Sequence, residues 1–210
     1  MKIHFALSAL ALAALSLSVQ AATVNIDLSG ATSGTFINGA GADITQRFDG
    51  QTVVGAFLSG SPTNPLTLAT AGSITVAFFD PIVSAASNSV LSQPGNAAPL
   101  AILLDSDADT FSWTMGSSKF GSNLNIAFYS ATGASLGATF VIMQDGYNTY
   151  TTTGIAPFRG ITFTANNDPF GVRFQNMSYT TSAVPEPSTY ALMGLGLMLA
   201  AGAARRRSRG

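Results

Sequence analysis

Period-two alternation of apolar and polar residues is the feature that most constrains the fold of this chain. It recurs in six segments: Val24–Leu28, Ile74–Phe78, Phe111–Met115, Leu124–Phe128, Ile161–Phe163 and Val172–Phe174. In a strand, such a pattern turns one face toward a core and the other toward water. Turn signals rich in Gly, Pro and Asn separate these segments, and residues 22–180 show no persistent apolar stripe of helical period. We therefore predict an all-β domain over residues 22–180, a two-sheet antiparallel sandwich of jelly-roll type, with an immunoglobulin-like sandwich as the alternative.

Other apolar runs add strands without defining their faces. Val53–Leu58, Leu100–Leu104 and Ala138–Met143 predict strands buried on both sides, or strands whose inward face the pattern does not identify. The segment Ser84–Pro99 has little strand character and is predicted to be a long surface loop. Near the end of the domain the apolar positions change parity, which predicts a β-bulge near Gln175–Asn176.

The domain is weakly charged and acidic. Only 9% of the chain is charged, against about 25% in ordinary soluble domains. From residue 22 to residue 183, four basic residues stand against nine Asp, which leaves a net charge of −5 and no basic patch. Such a domain is a poor match for nucleic acid. Because the chain has no Cys, its fold needs no disulfide.

The first 21 residues have the layout of a secretory signal peptide. Lys2 supplies the positive start, Ile3–Val19 is mostly apolar, and small residues at Val19 and Ala21 suit a cleavage site. We predict export through the Sec machinery with cleavage after Ala21, and Ala22 as the second choice. A transmembrane anchor is the alternative, but the stretch is short and has no positive flank on its far side.

The C-terminal segment begins with an extended linker at residues 181–188. Pro185 and Pro187 exclude this backbone from a helix or a sheet, so its side chains and peptide bonds stay accessible to a processing enzyme.

A short transmembrane helix is predicted at residues 189–204. Its apolar run, Tyr190–Ala204, spans about 22 Å as a helix, less than the roughly 30 Å of a bilayer core, a mismatch that bilayer thinning can meet. The basic tail at residues 205–210, with Arg205, Arg206 and Arg207, is then predicted to stay on the cytoplasmic side. A plain tail anchor does not account for the prolines ahead of the helix. A helix docked on the domain is excluded because the run is apolar all round.

The chain lacks the residues of most catalytic sites. Its single histidine, His4, leaves with the signal peptide, and Glu186 and Lys119 are the only residues of their types beyond it. A Ser-His-Asp or Cys-His nucleophile system and a zinc site of His and Cys are therefore excluded. Paired Asp carboxylates, as in an inverting glycosidase, remain open. We predict that the domain is not an enzyme and assign no catalytic residue.

Alternate aspartates form the densest acidic group, at Asp105, Asp107 and Asp109. Alternate Asp residues can begin a Ca²⁺ loop, but Thr110 and Gly116 stand where an EF-hand needs Gly and a bidentate Glu. An EF-hand is excluded and a looser Ca²⁺ site is not. The simpler interpretation is a solvated acidic turn between two strands, and no other cofactor is predicted.

Three aromatic residues lie in a stretch that the sequence predicts to be rich in loops, and their rings could stack on sugars. The candidates are Tyr147, Tyr150 and Phe158, whereas Trp113 alternates with core residues and is predicted to be buried. Arg47, Arg159 and Arg173 are expected to pair with the surplus Asp residues.

The C-terminal segment resembles a known sorting signal. Pro185-Glu186-Pro187, then a short apolar helix, then Arg205–Arg207 is similar to the PEP-CTERM protein-sorting signal of diderm bacteria that make exopolysaccharide. The resemblance implies that exosortase, a membrane-embedded processing enzyme, recognises Pro185, Glu186 and Pro187 and cleaves near them. The middle, with Leu103–Asp109 and Phe170–Tyr179, resembles the uncharacterised sandwich domains attached to such tails, which implies no activity.

These observations together predict an exported, non-enzymatic protein. We expect the helix to hold the protein transiently in the inner membrane before it reaches the cell surface or the matrix. There it would have a structural or adhesive role in exopolysaccharide or biofilm. The alternative is a carbohydrate-binding, lectin-like module, with or without Ca²⁺.

Overall fold

The computed structural model describes residues 21–28, 34–70, 72, 75–77, 89–91, 99–117, 123–165, 173–182, 194 and 196. Within Ala22–Ser182, which forms one compact unit, the regular structure of the described residues is entirely β. The prediction of an all-β domain is therefore confirmed. The buried clusters of the described residues lie entirely within this unit, so it contains its own core, and we expect it to fold without the terminal segments.

Twelve antiparallel strands run through the described residues. The first seven are short: β1 (Thr23–Asn25), β2 (Ile37–Asn38), β3 (Ala42–Thr45), β4 (Thr52–Val54), β5 (Phe57–Ser59), β6 (Thr75–Ala77) and β7 (Ser89–Leu91). The other five are longer: β8 (Leu100–Ser117), β9 (Asn123–Tyr129), β10 (Ser135–Ile142), β11 (Gly146–Ala165) and β12 (Arg173–Thr181). Ten of them form one sheet in the order β10-β9-β11-β8-β12-β7-β6, with β1 beside β12 and with β3, then β2, beside β8. β4 and β5 form a second, two-stranded sheet.

The large sheet folds back over itself to make two layers. Phe163 of β11 pairs with Leu100 at the start of β8, yet its ring centroid lies 5.1 Å from that of Trp113 on the same strand β8. A straight strand would place positions 100 and 113 about 43 Å apart. The two long strands must therefore turn a corner between these positions, and each contributes to both layers.

Register shifts mark this corner. Between Thr153 and Phe158, four residues of β11 lie opposite the single residue Asp109 of β8. One residue further, Arg159 alone lies opposite residues 104–107 of β8. Extra residues of this kind bend a strand and change which side chains face inward. The inward positions of β8 accordingly change from even numbers before the corner to odd numbers after it.

The core lies between the two layers. Phe163 is the centre of its aromatic part, with ring centroids 5.0 Å from Phe174, 5.1 Å from Trp113 and 5.9 Å from Phe111. A smaller cluster, built on Phe48, lies outside the β9–β11–β8 layer: Phe48, Leu66, Leu68, Ala101 and Tyr129. Leu100–Leu104 is therefore buried on both faces, as predicted, because alternate residues enter the two clusters.

The predicted bulge in the last strand is confirmed. The register between β12 and β8 shifts between Gln175 and Ser178, and Asn176 adopts a positive φ of 50°. Asn tolerates this left-handed conformation better than most residues. The bulge brings both Phe174 and Tyr179 into the core.

Two other sequence-based predictions were wrong, and a third was right about the strand but not about its burial on both sides. Val53–Leu58 is not one buried strand but the hairpin of β4 and β5, because Gly55 takes a positive φ of 62° at its turn. The predicted strand over Ala138–Met143 is confirmed as the larger part of β10, but most of its side chains are exposed because β10 is a sheet edge. The predicted loop Ser84–Pro99 contains strand β7.

The predicted signal peptide and transmembrane helix fall almost wholly outside the described residues. Of residues 1–21 and 189–204, only 21, 194 and 196 are described. In the described parts of the chain, no helix is both long enough and apolar enough to cross a bilayer.

Candidate functional site

A field of hydroxyl side chains covers the outer side of the β11–β8–β12–β1 part of the sheet. We call it the hydroxyl face, and its members are Thr149, Thr151 and Thr153 of β11, Thr110, Ser112 and Thr114 of β8, Ser178 and Thr180 of β12, and Thr23 of β1 with its neighbour Asn25. All of these side chains are exposed or half-buried, and none is charged.

The strand register arranges these residues in rows. One row runs through Thr153, Thr110, Thr180 and Thr23, which are successive cross-strand partners. A second row runs in the same way through Thr151, Ser112, Ser178 and Asn25. Neighbouring strands lie about 4.8 Å apart, and successive residues on one face of a strand lie about 6.8 Å apart. The result is a regular, uncharged array of donors and acceptors.

Hydrogen bonds tie neighbouring members of the array together. The hydroxyl oxygens of Ser112 and Thr151 are 2.8 Å apart, and those of Thr114 and Thr149 are 3.0 Å apart. Each hydroxyl has one proton and two lone pairs, so a pair linked by one bond keeps capacity for a further partner. The β-branched Thr side chains also suit the strand backbone. This face can therefore bind a neutral polar surface.

The residues that oppose the hydroxyl face point into the core. Phe111 and Trp113 of β8 and Tyr179 of β12 alternate with its members and are almost fully buried. Trp113 is completely buried, as predicted, and its indole nitrogen has no hydrogen-bond partner in the described part of the chain.

A second polar group lies at the corner of β8 and β11, which we call the acidic corner: Asp43, Asp105, Asp107, Asp109 and Arg159. The predicted pairing of Arg159 with an Asp is confirmed, with Nη1 3.9 Å from Oδ1 of Asp107. Ser182 donates a 2.7 Å hydrogen bond to Asp109. Burial, together with the nearby charge of Asp105, raises the pKa of Asp43, and a hydrogen bond from the Gly39 backbone opposes the rise.

The three candidate Ca²⁺ ligands lie in a continuous strand, so the prediction of a turn between two strands was wrong. Asp105 and Asp107 are exposed, and Asp109 is half-buried. Among the residues described, no group of three His, Cys, Asp or Glu side chains could hold a metal ion.

The predicted aromatic platform is not present in the form expected. Tyr147, Tyr150 and Phe158 lie in strand β11, not in a loop. Phe158 is fully buried, with its ring centroid 4.8 Å from that of Phe128. Tyr150 is half-buried and stacks on Trp113, with ring centroids 5.7 Å apart, and its hydroxyl accepts a hydrogen bond from the Gln144 amide. The missed feature is the hydroxyl face, whose sequence signal is the Thr-x-Thr-x-Thr pattern at 149–153.

Comparison with known proteins gives one match in sequence and several in structure. The family model described as the PEP-CTERM protein-sorting motif matches residues 183–207. Among curated proteins, none matches the sequence. Similar solved structures include a mutant of the family 29 carbohydrate-binding module CBM29-2, at 14% identity and a TM-score of 0.40 over 78% of this chain and 94% of the module. A family 29 module from Piromyces equi is similar at 8% identity and a TM-score of 0.39, over 78% of this chain and 92% of that one. The chain thus carries a PEP-CTERM protein-sorting motif directly after its β-domain.

Proposed function

We propose that this protein is an exported, non-enzymatic β-domain that its C-terminal segment delivers to the cell surface or the extracellular matrix. The observation that carries the proposal is the sorting motif at residues 183–207, which begins one residue after the compact unit Ala22–Ser182 ends. The motif implies export, a C-terminal membrane anchor before processing, and an exosortase as the processing enzyme.

The remaining parts of the delivery route are predictions from the sequence. They are Sec-dependent export with signal cleavage after Ala21, the transmembrane helix at 189–204, and cytoplasmic retention of Arg205–Arg207. The jelly-roll type of the sandwich also stays a prediction.

We propose a structural or adhesive role for the delivered domain, within exopolysaccharide or biofilm. Two features support this. The domain from residue 22 onward contains no His and no Cys, and its acidic residues are all Asp. Its hydroxyl face has the chemistry of a contact surface and lacks the charged groups of an acid–base site.

Replacement of Pro185, Glu186 and Pro187 by Ala tests the delivery step. We expect the variant to stay unprocessed in the inner-membrane fraction, whereas the natural chain is released or attached outside. Substitution of Val54 by Ala, at an exposed position of the β-domain outside the motif, is the control and should leave processing unchanged. Normal processing of the triple variant would contradict the proposal.

Carbohydrate binding is the second candidate function, and the hydroxyl face favours it. Sugars are rich in hydroxyls that can complete the open hydrogen-bonding capacity of Ser and Thr. A glycan array probed with the Ala22–Ser182 unit tests this, and we expect binding that Thr149→Val and Thr151→Val together remove. Thr70→Val, at an exposed position outside the face, is the control.

The same array, repeated with EDTA, separates the Ca²⁺ hypothesis from simple sugar binding. Loss of binding on chelation would support a cation held by Asp105, Asp107 and Asp109. Unchanged binding would exclude the Ca²⁺ hypothesis. If no sugar bound with or without EDTA, the structural role would be the proposed function that remains.

A further inference from the structure

Strand β10 (Ser135–Ile142) is an open sheet edge. It lies at one end of the strand order and pairs with β9 along Ser135–Ile142. Among the described strands, no other strand pairs with its second side. An edge of eight residues presents a row of backbone N–H and C=O groups that are suited to another strand.

This edge lacks the usual protection against pairing. Natural edge strands are blocked by charged residues, especially Lys, by Pro, or by a strong bulge in mid-strand. β10 contains no charged residue and no Pro, and its irregularity lies at its start, between Ser135 and Gly137. The wider stretch of residues 120–144 is also free of charge.

Two large apolar side chains are exposed on the same edge. Phe140 is 57% exposed and Ile142 is 52% exposed. They share one side of the strand, because Val141 between them packs against the core. The exposed β4–β5 residues Val54 and Phe57, at 60% and 46%, show comparable exposure but lie in a separate two-stranded sheet.

Charge and symmetry point to a second copy of this chain as the occupant. The domain carries −5, so the repulsion between two copies is smallest where uncharged surfaces meet. β10 is such a surface. An antiparallel strand pair about a two-fold axis is self-complementary, because each residue of one copy meets a residue of the same strand in the other.

We propose that two copies of this domain associate through antiparallel pairing of their β10 strands. The pairing continues the large sheet from one copy into the next and satisfies the open backbone groups of both. It also brings Phe140 and Ile142 of the two copies together on one side of the joined sheet, where cross-strand apolar pairs are stabilising.

Sedimentation analysis of the Ala22–Ser182 unit, over a concentration series, tests the proposal. We expect a dimer for the natural sequence and a dissociation constant at least about 100-fold higher for Phe140→Lys with Ile142→Lys, because burial of the apolar side chains is lost and like charges oppose each other. Val54→Lys with Phe57→Lys is the matched control and should dimerise like the natural sequence. Circular dichroism and Trp113 fluorescence check that each variant is folded.

Single-cysteine crosslinking gives an independent readout, since the chain contains no Cys. With Cys placed in turn at positions 138, 139, 140 and 142, oxidation should link two copies at one or two adjacent positions near the two-fold axis. Ser59→Cys on β5 should give no crosslink. A monomer at all concentrations, a dimer that survives both Lys substitutions, or equal crosslinking through Ser59→Cys would overturn the proposal.

Discussion

Truncation of Phe163 tests whether the sheet folds back over itself. Its ring is 1% exposed and contacts Trp113, Phe111 and Phe174, all of which lie in the other layer. Phe163→Ala leaves a cavity at the centre of the core, and such truncations cost about 3–5 kcal/mol. For a domain of this size, that corresponds to a fall in Tm of about 6–20 °C.

Thermal and urea unfolding of the Ala22–Ser182 unit, followed by circular dichroism and by the single Trp, measures the loss. Phe57→Ala, at a position 46% exposed, is the control and should change the free energy of unfolding by less than about 0.5 kcal/mol. A double-mutant cycle between Phe163 and Phe111 should give a coupling of about 0.5–1.5 kcal/mol. If Phe163→Ala were no worse than the control, or the coupling were zero, the two-layer account would be refuted.

Three further predictions concern single positions. A Cβ at Gly160 would lie 2.5 Å from Leu66 Cδ2 and 2.7 Å from Phe48 Cζ, so Gly160→Ala should lower the free energy of unfolding in urea by about 1–3 kcal/mol. Gly34→Ala is the control and should not cause this loss, because a Cβ at Gly34 would meet no atom closer than 3.8 Å. Because the pKa of Asp43 is raised in the folded state, ionisation of this carboxyl destabilises the fold. Asp43→Asn should therefore raise Tm at pH 7 and lose this advantage at about pH 3, where the carboxyl is protonated in both the folded and the unfolded state. An equal rise in Tm at both pH values would contradict this prediction. At the bulge, Asn176→Gly should leave the free energy of unfolding in urea nearly unchanged, while Asn176→Ala should lower it by about 1 kcal/mol. Equal stabilities of the two variants would argue against a positive φ at position 176.

Alternation predicted the inward faces of the strands well, because burial of apolar side chains dominates the energetics of a half-buried strand. Phe111, Trp113, Leu124 and Phe163 all lie in the core as their parity requires. The bulge near Asn176 was also predictable, because a parity change within one strand has no other simple cause.

The corner could not be predicted in the same way. Asp105–Asp109 is polar and flanked by apolar runs, which is the pattern of an ordinary turn. The chain instead stays within strand β8 as it turns the corner, because β3 pairs with Leu104 just before this stretch and β11 and β12 both pair with Ala108 inside it. Long-range pairing of this kind overrides the local signal.

The candidate surfaces could not be predicted from the sequence for the same reason, because they depend on long-range strand pairing. The Thr and Ser residues of β8, β11 and β12 are visible in the sequence, but the rows they form depend on strand register. The edge position of β10 likewise depends on strand order, so an apolar run that predicted a buried strand proved to be exposed.

The C-terminus of the mature protein is the most direct test of the central claim, that this chain carries a sorting tail that is removed after export. Mass spectrometry of the protein recovered from outside the inner membrane should show a C-terminal peptide that ends near Pro185–Pro187, without the residues that follow. A mature protein that retains residues 189–210 would contradict the account.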